Sequence, residues 1–204
     1  IKIKKDGHEI ATHGYAHRRI DEQTPKEFEK DLIKSIKIIE KITKTKIKGY
    51  RAPQFTITEK TLWALDILAK HKFLYDSSIF PMKTPLYGIK NIPLSPHKMK
   101  IKNNNKIWEF PPSVYKIPIL NKKIPIAGGF YLRFFPYFFI KNIIKKINKK
   151  GNPAVMFLHP SDIDRNKPRF KSIDFSASAQ RQNARCGITK RYPLPFGRKS
   201  YTVG

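Results

Sequence analysis

Cysteine is almost absent from this sequence, which removes disulfide-stapled folds from consideration. Cys186 is the only cysteine in 204 residues, so the fold has to depend on an apolar core rather than on a disulfide framework. Apolar residues make up 40% of the chain, enough for the core of one domain. No apolar run approaches the roughly 20 residues of a membrane-spanning helix. The sequence therefore predicts one core-forming domain.

Acidic residues are also scarce. The chain has 15 Asp and Glu against 42 Lys and Arg, a net charge of +27, which is typical of proteins that bind nucleic acid or an anionic surface. The lysines are nevertheless spread along the chain, because residues 1–175 contain 30 Lys together with all 15 acids. We therefore expect no specific nucleic-acid partner. Contact with an anionic surface, either acidic polysaccharide or membrane, stays open, and so does the oligomeric state.

The end of the chain differs in composition from the rest. Residues 176–204 contain no Asp or Glu, two Lys and four Arg, which reverses the excess of Lys over Arg before them. With few large aliphatic residues, this segment has little apolar surface to offset the entropy of ordering. We expect a folded domain at residues 1–175 and a disordered tail at residues 176–204. The composition of the tail suggests that it comes from a frameshift or from a foreign sequence. An ordinary variable tail is the alternative.

Two histidines four residues apart form the first candidate site. They belong to the sequence HGYAH at residues 13–17, where the opening of a helix is expected. Residues i and i+4 of a helix lie on the same face, so His13 and His17 could bind one divalent metal. A pair of this kind is weak evidence on its own, because many such pairs are surface or core residues.

Two later segments place further functional groups after short apolar runs. Arg51 follows the run at residues 47–50, and Pro53 keeps Ala52 out of helical geometry, so that Arg51 begins a rigid loop. His159 follows residues 154–158, which are predicted to form a buried strand. Because the carboxyl ends of parallel strands meet at one face of an α/β barrel, we expect His159 to converge with His13 and His17.

The remaining pattern alternates helices and strands, which favours a parallel α/β barrel. A capping-box sequence at residues 24–27 starts one helix, which should run to about Lys44. The other predicted elements are helices beginning at Thr58 and Pro136, and strands at residues 73–76, 106–110 and 113–117.

In this order, the motifs resemble those of the polysaccharide deacetylases of carbohydrate esterase family 4, the NodB-homology proteins. HGYAH at residues 13–17 resembles the metal-binding HxxxH motif, RAPQF at 51–55 the RxPxF motif, and FLH at 157–159 the end of the LxLH motif. Further segments resemble the exosortase-associated branch: YDSS at 75–78, EFP at 109–111 and IAGGFY at 126–131. The resemblance covers residues 5–173.

The resemblance implies a fold and an activity. It implies an incomplete NodB-type (β/α) barrel that lacks its first strands, because the family's acidic motif should lie upstream of His13 and only twelve residues precede it. That motif supplies the catalytic base and the third metal ligand. The implied activity is the hydrolysis of acetyl groups on a polysaccharide or its precursor, N-acetyl ahead of O-acetyl, and we expect this chain to be an inactive fragment of such a hydrolase.

The alternatives from other function classes are a non-catalytic carbohydrate-binding relic and a basic module for nucleic acid or anionic surfaces. By resemblance the protein belongs to the cell envelope or the extracellular space, with the cytoplasm open.

The resemblance also assigns roles to residues. His13 and His17 would bind a divalent metal, Zn²⁺ by ligand type, with Co²⁺ or another ion open. His159 would be the general acid for the leaving amine, and Arg51 would pair with the missing base. Asp76 would orient His159.

Two residues are candidates for contact with an acetylated polysaccharide. Leu158 would line the pocket for the acetyl methyl group, with a place in the core as the equal alternative. Tyr131 would contact sugar, although a packing role is favoured for it.

Overall fold

The computed structural model describes residues 2–102 and 105–163, which alternate short strands with helices. The helices are α1 (Lys2–Lys5), α2 (Pro25–Thr43), α3 (Trp63–Lys70), α4 (Gly129–Phe134), α5 (Tyr137–Lys149) and α6 (Pro160–Ile163). The strands are β1 (Gly49–Tyr50), β2 (Tyr75–Asp76), β3 (His97–Lys100), β4 (Lys106–Glu109), β5 (Val114–Ile117) and β6 (Lys122–Pro125). Short 3₁₀ turns lie at Ile20–Glu22 and Pro53–Phe55.

Four strands form one mixed sheet, in the order β1-β2-β4-β3. β1, β2 and β4 are parallel, whereas β3 is antiparallel to β4 at the edge. β5 and β6 form a separate antiparallel hairpin. The expected parallel α/β arrangement is therefore confirmed for the central strands, while the described strands form an open sheet and a hairpin.

Helix α2 begins where the sequence predicts. Thr24 is its N-cap, and its hydroxyl accepts a hydrogen bond from the N–H of Glu27, whose carboxylate accepts from the N–H of Thr24. This capping box satisfies two donors that a helix start leaves unpaired. The helix ends at Thr43, and the left-handed conformation of the following Lys44 (φ 52°) closes the last turn. Helix α5 likewise starts after Pro136, and its four lysines are exposed while Ile140 and Ile143 are buried.

The core has one large apolar cluster around the mixed sheet and two smaller ones. Phe28 and Leu32 of α2 pack with Leu65 and Leu68 of α3 against Tyr50 of β1. A second cluster surrounds α5, and a third joins Phe55, Phe80 and Val114. Burial of this kind contributes about 25 cal/mol per Å² of apolar surface.

Three elements differ from the sequence prediction. His13 and His17 lie in a loop rather than at the start of a helix, because Gly14 (φ 81°) and His17 (φ 53°) both have left-handed backbone. Helix α3 starts at Trp63 and not directly after Thr58, the cap that the sequence suggests, because residues 59–62 form a turn first.

The third difference concerns residues 154–158, which are extended and half-buried and, in the described part of the chain, join neither sheet. Ser113 accounts for this. It donates its N–H to the Val155 carbonyl at 2.9 Å, while its hydroxyl oxygen accepts the Val155 N–H at 2.8 Å. The Ser113 side chain thus accepts a hydrogen bond that the backbone carbonyl of a neighbouring strand would accept in a regular sheet.

None of the helices described here has the length and apolar character needed to cross a lipid bilayer. The expected tail at residues 176–204 lies outside the described residues.

Candidate active site

The parallel strands place several functional groups at one edge of the sheet. Thr12 forms a parallel bridge with Tyr50: the Thr12 N–H donates to the Gly49 carbonyl at 3.0 Å, and the Arg51 N–H donates to the Thr12 carbonyl at 3.1 Å. His13 and Arg51 are therefore the first residues beyond this pairing. Asp76 and Glu109 end β2 and β4 directly opposite each other in register. Such strand ends are where α/β folds assemble their sites.

His13 and His17 lie together despite the loop. Their ring centroids are 4.8 Å apart and their planes are inclined by 74°. His13 Nδ1 lies 2.7 Å from the carbonyl oxygen of Arg51, and because a carbonyl only accepts, Nδ1 carries the proton. Burial lowers the pKa of His13, the bond to Arg51 opposes this, and the positive charges of His17, Arg51 and His159 lower it further. At neutral pH His13 is therefore uncharged, with the lone pair on Nε2.

Asp31 of α2 fixes the loop between the two histidines. Its two carboxylate oxygens accept hydrogen bonds from the N–H groups of Tyr15 at 2.7 Å and Ala16 at 2.9 Å. A side chain on Gly14 would begin 3.1 Å from the same carboxylate, and its φ of 81° favours glycine. The loop conformation therefore depends on a helix that is separate from it in sequence.

The two imidazoles fit part of a metal site. A metal-binding histidine commonly donates its other ring N–H to a backbone carbonyl, which fixes its tautomer, and His13 has this arrangement with Arg51. Among residues 2–102 and 105–163, no three or more His, Cys, Asp or Glu side chains are grouped so as to bind a metal. The described residues thus provide two candidate ligands of the three or four that zinc sites use.

Arg51 is a buried cation at the centre of this edge. Its side chain donates from Nε to the Ser77 carbonyl at 3.0 Å and from a terminal nitrogen to the Ser77 hydroxyl at 2.6 Å. Burial lowers its pKa, while the charges of Asp76 and Glu109 act in the opposite direction. The structure thus surrounds Arg51 with Ser77, Asp76 and Glu109, and the expectation that it pairs with an upstream base stays a prediction.

Glu109 was not singled out as a functional residue from the sequence. It is fully buried beside Asp76, and one of its carboxylate oxygens accepts the Ile79 N–H at 3.1 Å. Burial raises the pKa of Glu109 well above its ordinary value, and the charge of Asp76 raises it further. The signal in the sequence was the place of this acid near the end of the predicted strand at residues 106–110, since the ends of such strands carry functional groups.

His159 approaches the histidine pair from the far end of the chain. Its charge is close enough to contribute to the lowered pKa of His13. The convergence of the three histidines in one cleft stays a prediction.

The carboxylate near His159 is Asp162, not the expected Asp76. Asp162 Oδ2 lies 3.6 Å from His159 Nδ1 and accepts the His159 backbone N–H at 3.0 Å. Asp76 instead accepts from the Ser78 hydroxyl at 2.5 Å and from the Ser78 N–H at 3.2 Å. The described contacts therefore do not support Asp76 as the residue that orients His159, because its carboxylate is turned into the buried group around Arg51.

The two predicted substrate contacts lie on packed surfaces. Leu158 is half-buried against the cluster around α5, which favours the core alternative over the pocket. Phe157, which alternates with it, faces Phe55 with ring centroids 4.8 Å apart. Tyr131 is half-buried, its ring packs against Phe130 at 5.3 Å, and burial raises its pKa.

Two family models match this chain. The model "Polysaccharide deacetylase" matches residues 1–73, and "Domain of unknown function (DUF3473)" matches residues 77–192, more than half of the chain.

Curated relatives match over a limited region. A peptidoglycan deacetylase of Helicobacter pylori is 37% identical over 82 residues, which is 40% of this chain and 27% of the relative. The peptidoglycan deacetylase-like protein FGM2 of Gibberella zeae is 34% identical over 85 residues, 42% of this chain and 24% of the relative. The chain thus spans about a quarter of the length of these relatives.

A solved structure agrees in fold. A crystal structure from Mycobacterium smegmatis, assigned to the polysaccharide deacetylases, has a TM-score of 0.54 and 21% identity, over 78% of this chain and 52% of that one. At this identity the likeness shows the fold, a mixed α/β arrangement of the NodB-type. The chain belongs to the family described by the model "Domain of unknown function (DUF3473)", and its residues 1–73 are similar to the polysaccharide deacetylases.

Proposed function

We propose that this chain supplies two metal ligands and the general acid of a metal-dependent deacetylase that removes N-acetyl groups from a polysaccharide or its precursor. The observation that carries the proposal is the paired state of His13 and His17. One imidazole is neutral, with Nδ1–H bound to a carbonyl, and its ring lies 4.8 Å from the other. The match of residues 1–73 to the "Polysaccharide deacetylase" model and the similarity to a peptidoglycan deacetylase support the reaction class.

In the proposed site, some residues bind the metal ion and another transfers a proton. His13 and His17 would hold a divalent ion, Zn²⁺ by ligand type. When bound, such an ion polarises a carbonyl oxygen and lowers the pKa of water. His159 would deliver a proton to the amine nitrogen as the amide C–N bond breaks, and this kind of general acid contributes about 10²- to 10⁴-fold in rate. Arg51 holds the His13 tautomer through its carbonyl oxygen.

The first test is acetate release from N-acetylglucosamine oligomers by the protein that carries this chain, before and after chelation and re-addition of Zn²⁺. We expect the His13→Ala variant to lose both zinc binding and turnover. We expect His159→Ala to retain zinc and to lose about 10²- to 10⁴-fold in kcat.

A matched control is His71→Ala. His71 also has a carboxylate partner, Glu29, at 2.6 Å, but it lies after α3 rather than at the strand ends. This variant should keep wild-type activity. Chelation-resistant acetate release, or full activity in His13→Ala, would contradict the proposal.

A further inference from the structure

Asp162 is joined to the backbone of His159 in both directions. Its carboxylate accepts the His159 N–H at 3.0 Å, and its own N–H donates to the His159 carbonyl at 2.8 Å. The same Oδ2 lies 3.6 Å from the ring nitrogen Nδ1. The carboxylate is therefore held against the His159 backbone, and its Oδ2 lies close to the imidazole.

A second element holds Asp162 from the other side. Arg133 of α4 donates to Asp162 Oδ1 at 2.8 Å, and the two side chains are only 14% and 13% exposed. Ion pairs that are largely shielded from water and hydrogen-bonded in this way are stronger than surface pairs. Each oxygen of the carboxylate thus has its own partner, Oδ2 at His159 and Oδ1 at Arg133.

The start of α4 leaves room for this arrangement. A Cβ atom on Gly129 would collide with the Asp162 carboxylate, and one on Gly128 would collide with the ring of Phe157. Gly128 also has φ 99°, in the region that favours glycine. The glycine pair therefore allows the backbone of α4 to lie directly against the two side chains that flank His159.

We propose that Asp162, anchored by Arg133, is the positioning residue for His159. This inference rests on the proposed role of His159 as general acid. A carboxylate beside Nδ1 favours the tautomer with the proton on that nitrogen and stabilises the imidazolium, which leaves Nε2–H to face the substrate. In the reaction Nε2 gives its proton to the amine nitrogen as the C–N bond breaks, and the imidazole returns to the neutral state.

A purely structural role is the competing explanation. Asp162 is the third residue of α6, and an acid at that position commonly accepts the N–H of the N-cap residue. Asp162→Asn separates the two roles, because an asparagine oxygen can still accept the His159 N–H while the negative charge is removed.

The experiment is an NMR titration of the histidine side chains in the 204-residue chain, so its readout does not depend on catalysis. In Asp162→Asn we expect the titration midpoint of His159 to move to lower pH, by on the order of half a pH unit or more, because a neighbouring negative charge favours the imidazolium. Arg133→Gln should move the midpoint the opposite way, since it removes a cation 2.8 Å from that carboxylate.

Asp66→Asn is the matched control. Asp66 also accepts a backbone N–H, that of Lys102 at 2.8 Å, but it lies on α3. It should leave the His159 midpoint unchanged. A His159 midpoint that is the same in wild type and in Asp162→Asn would overturn the inference. If Asp162→Asn does not fold, an unchanged midpoint in Arg133→Gln would overturn it instead.

Activity gives a second, separable readout. In the full protein, Asp162→Asn should lower kcat about tenfold or more with little change in KM, because it disturbs an acid and not substrate binding. If wild type releases no acetate while the His159 shift is present, the proposed function fails and the positioning role stands. Unchanged kcat in Asp162→Asn, with active wild type, counts against the positioning role.

Discussion

At the scale of single residues, the least expected feature is the pair of buried acids, Asp76 and Glu109. Both side chains are fully buried, and the charges of both oppose the effect of burial, which lowers the pKa of Arg51. Burial raises the pKa of both carboxyls, most strongly that of Glu109. We infer that Asp76 is ionised opposite Arg51 and that Glu109 is protonated, so that the group carries no net charge and its desolvation cost is reduced.

This pair predicts a pH-dependent stability. A carboxyl whose pKa is raised on folding binds its proton more tightly in the folded state, so its contribution is fully present below the unfolded pKa, near 4.3. That contribution is lost as the pH rises through the folded pKa. Glu109→Gln keeps an acceptor for the Ile79 N–H and has no acid to ionise.

We therefore expect Glu109→Gln to gain stability relative to wild type between pH 4.5 and pH 7.5, measured by urea unfolding. Glu109→Ala should lose roughly 1–3 kcal/mol, because the Ile79 N–H is left without its acceptor. A wild-type-to-Gln difference that does not vary with pH would show that Glu109 is ionised in the folded protein.

At the scale of elements, α2 both packs the core and sets the histidine loop. Its apolar face carries Phe28 and Leu32 into the large cluster. From the same helix Asp31 binds the N–H groups of Tyr15 and Ala16, and the Ser35 hydroxyl lies 2.5 Å from that of Thr12. The spacing of His13 and His17 is thus maintained by a helix rather than by a helical turn of their own.

Asp31→Ala should accordingly weaken zinc binding about tenfold to 100-fold, the usual effect of removing a group that orients metal ligands. Titration calorimetry with ZnCl₂ measures this. The free energy of unfolding should fall by only about 1 kcal/mol.

Glu29→Ala is the control for Asp31. It lies on the same helix but pairs with Lys70 and His71, and it should leave zinc affinity unchanged. Equal zinc affinity in Asp31→Ala and wild type would mean that the loop keeps its shape without α2.

The loop after β1 has a strained backbone. Gln54 and Phe55 have consecutive left-handed conformations, φ 54° and 55°, which cost roughly 1–2 kcal/mol per residue. Two contacts help to hold this loop in place: the Ser78 hydroxyl accepts the Ala52 N–H at 2.7 Å, and the Phe55 ring packs on Phe157. The backbone of this RxPxF-like segment is thereby bent so that Arg51 enters the buried group and Phe55 lies beneath the His159 segment.

At the scale of the whole molecule, the net charge of +27 is a general property and not a site. The four lysines of α5, and Lys150 directly after it, are exposed to solvent. Charges of this kind attract polyanions over roughly one Debye length, about 8 Å at physiological ionic strength. The basic-module alternative therefore makes a separate prediction.

We expect binding to duplex DNA to be independent of sequence and to fall steeply between 50 and 300 mM NaCl, as counterion release dictates. Fluorescence anisotropy with two unrelated duplexes of about 20 base pairs would measure it. His13→Ala should not alter this binding. If the protein still bound one of the two DNA duplexes but not the other at the higher salt concentration, a nucleic-acid function would be favoured over the proposed enzyme.

Local signals in the sequence were sufficient for several elements. The capping box at Thr24 and the proline before α5 start helices by satisfying or removing unpaired N–H groups, which needs no distant partner. The short apolar runs before Arg51 and at residues 73–76 located β1 and β2. The run at residues 154–158 was wrongly predicted as a strand, because strand formation depends on which backbone lies beside it, and here Ser113 takes that place.

The sequence by itself determined the family motifs, the cationic character and the order of helices and strands, since each follows from neighbouring residues. Tertiary structure decided which side chains meet. Helix spacing suggested how His13 and His17 share a face, but a loop held by Asp31 brings them together. The family resemblance implied that Asp76 orients His159, but Asp76 lies in the buried group with Arg51 and Glu109. The carboxylate beside His159 is that of Asp162, which is paired with Arg133. The partner of a carboxylate depends on which groups lie close to it and on how far it is buried. Both are fixed only when the chain folds, because residues that are far apart in sequence then come together.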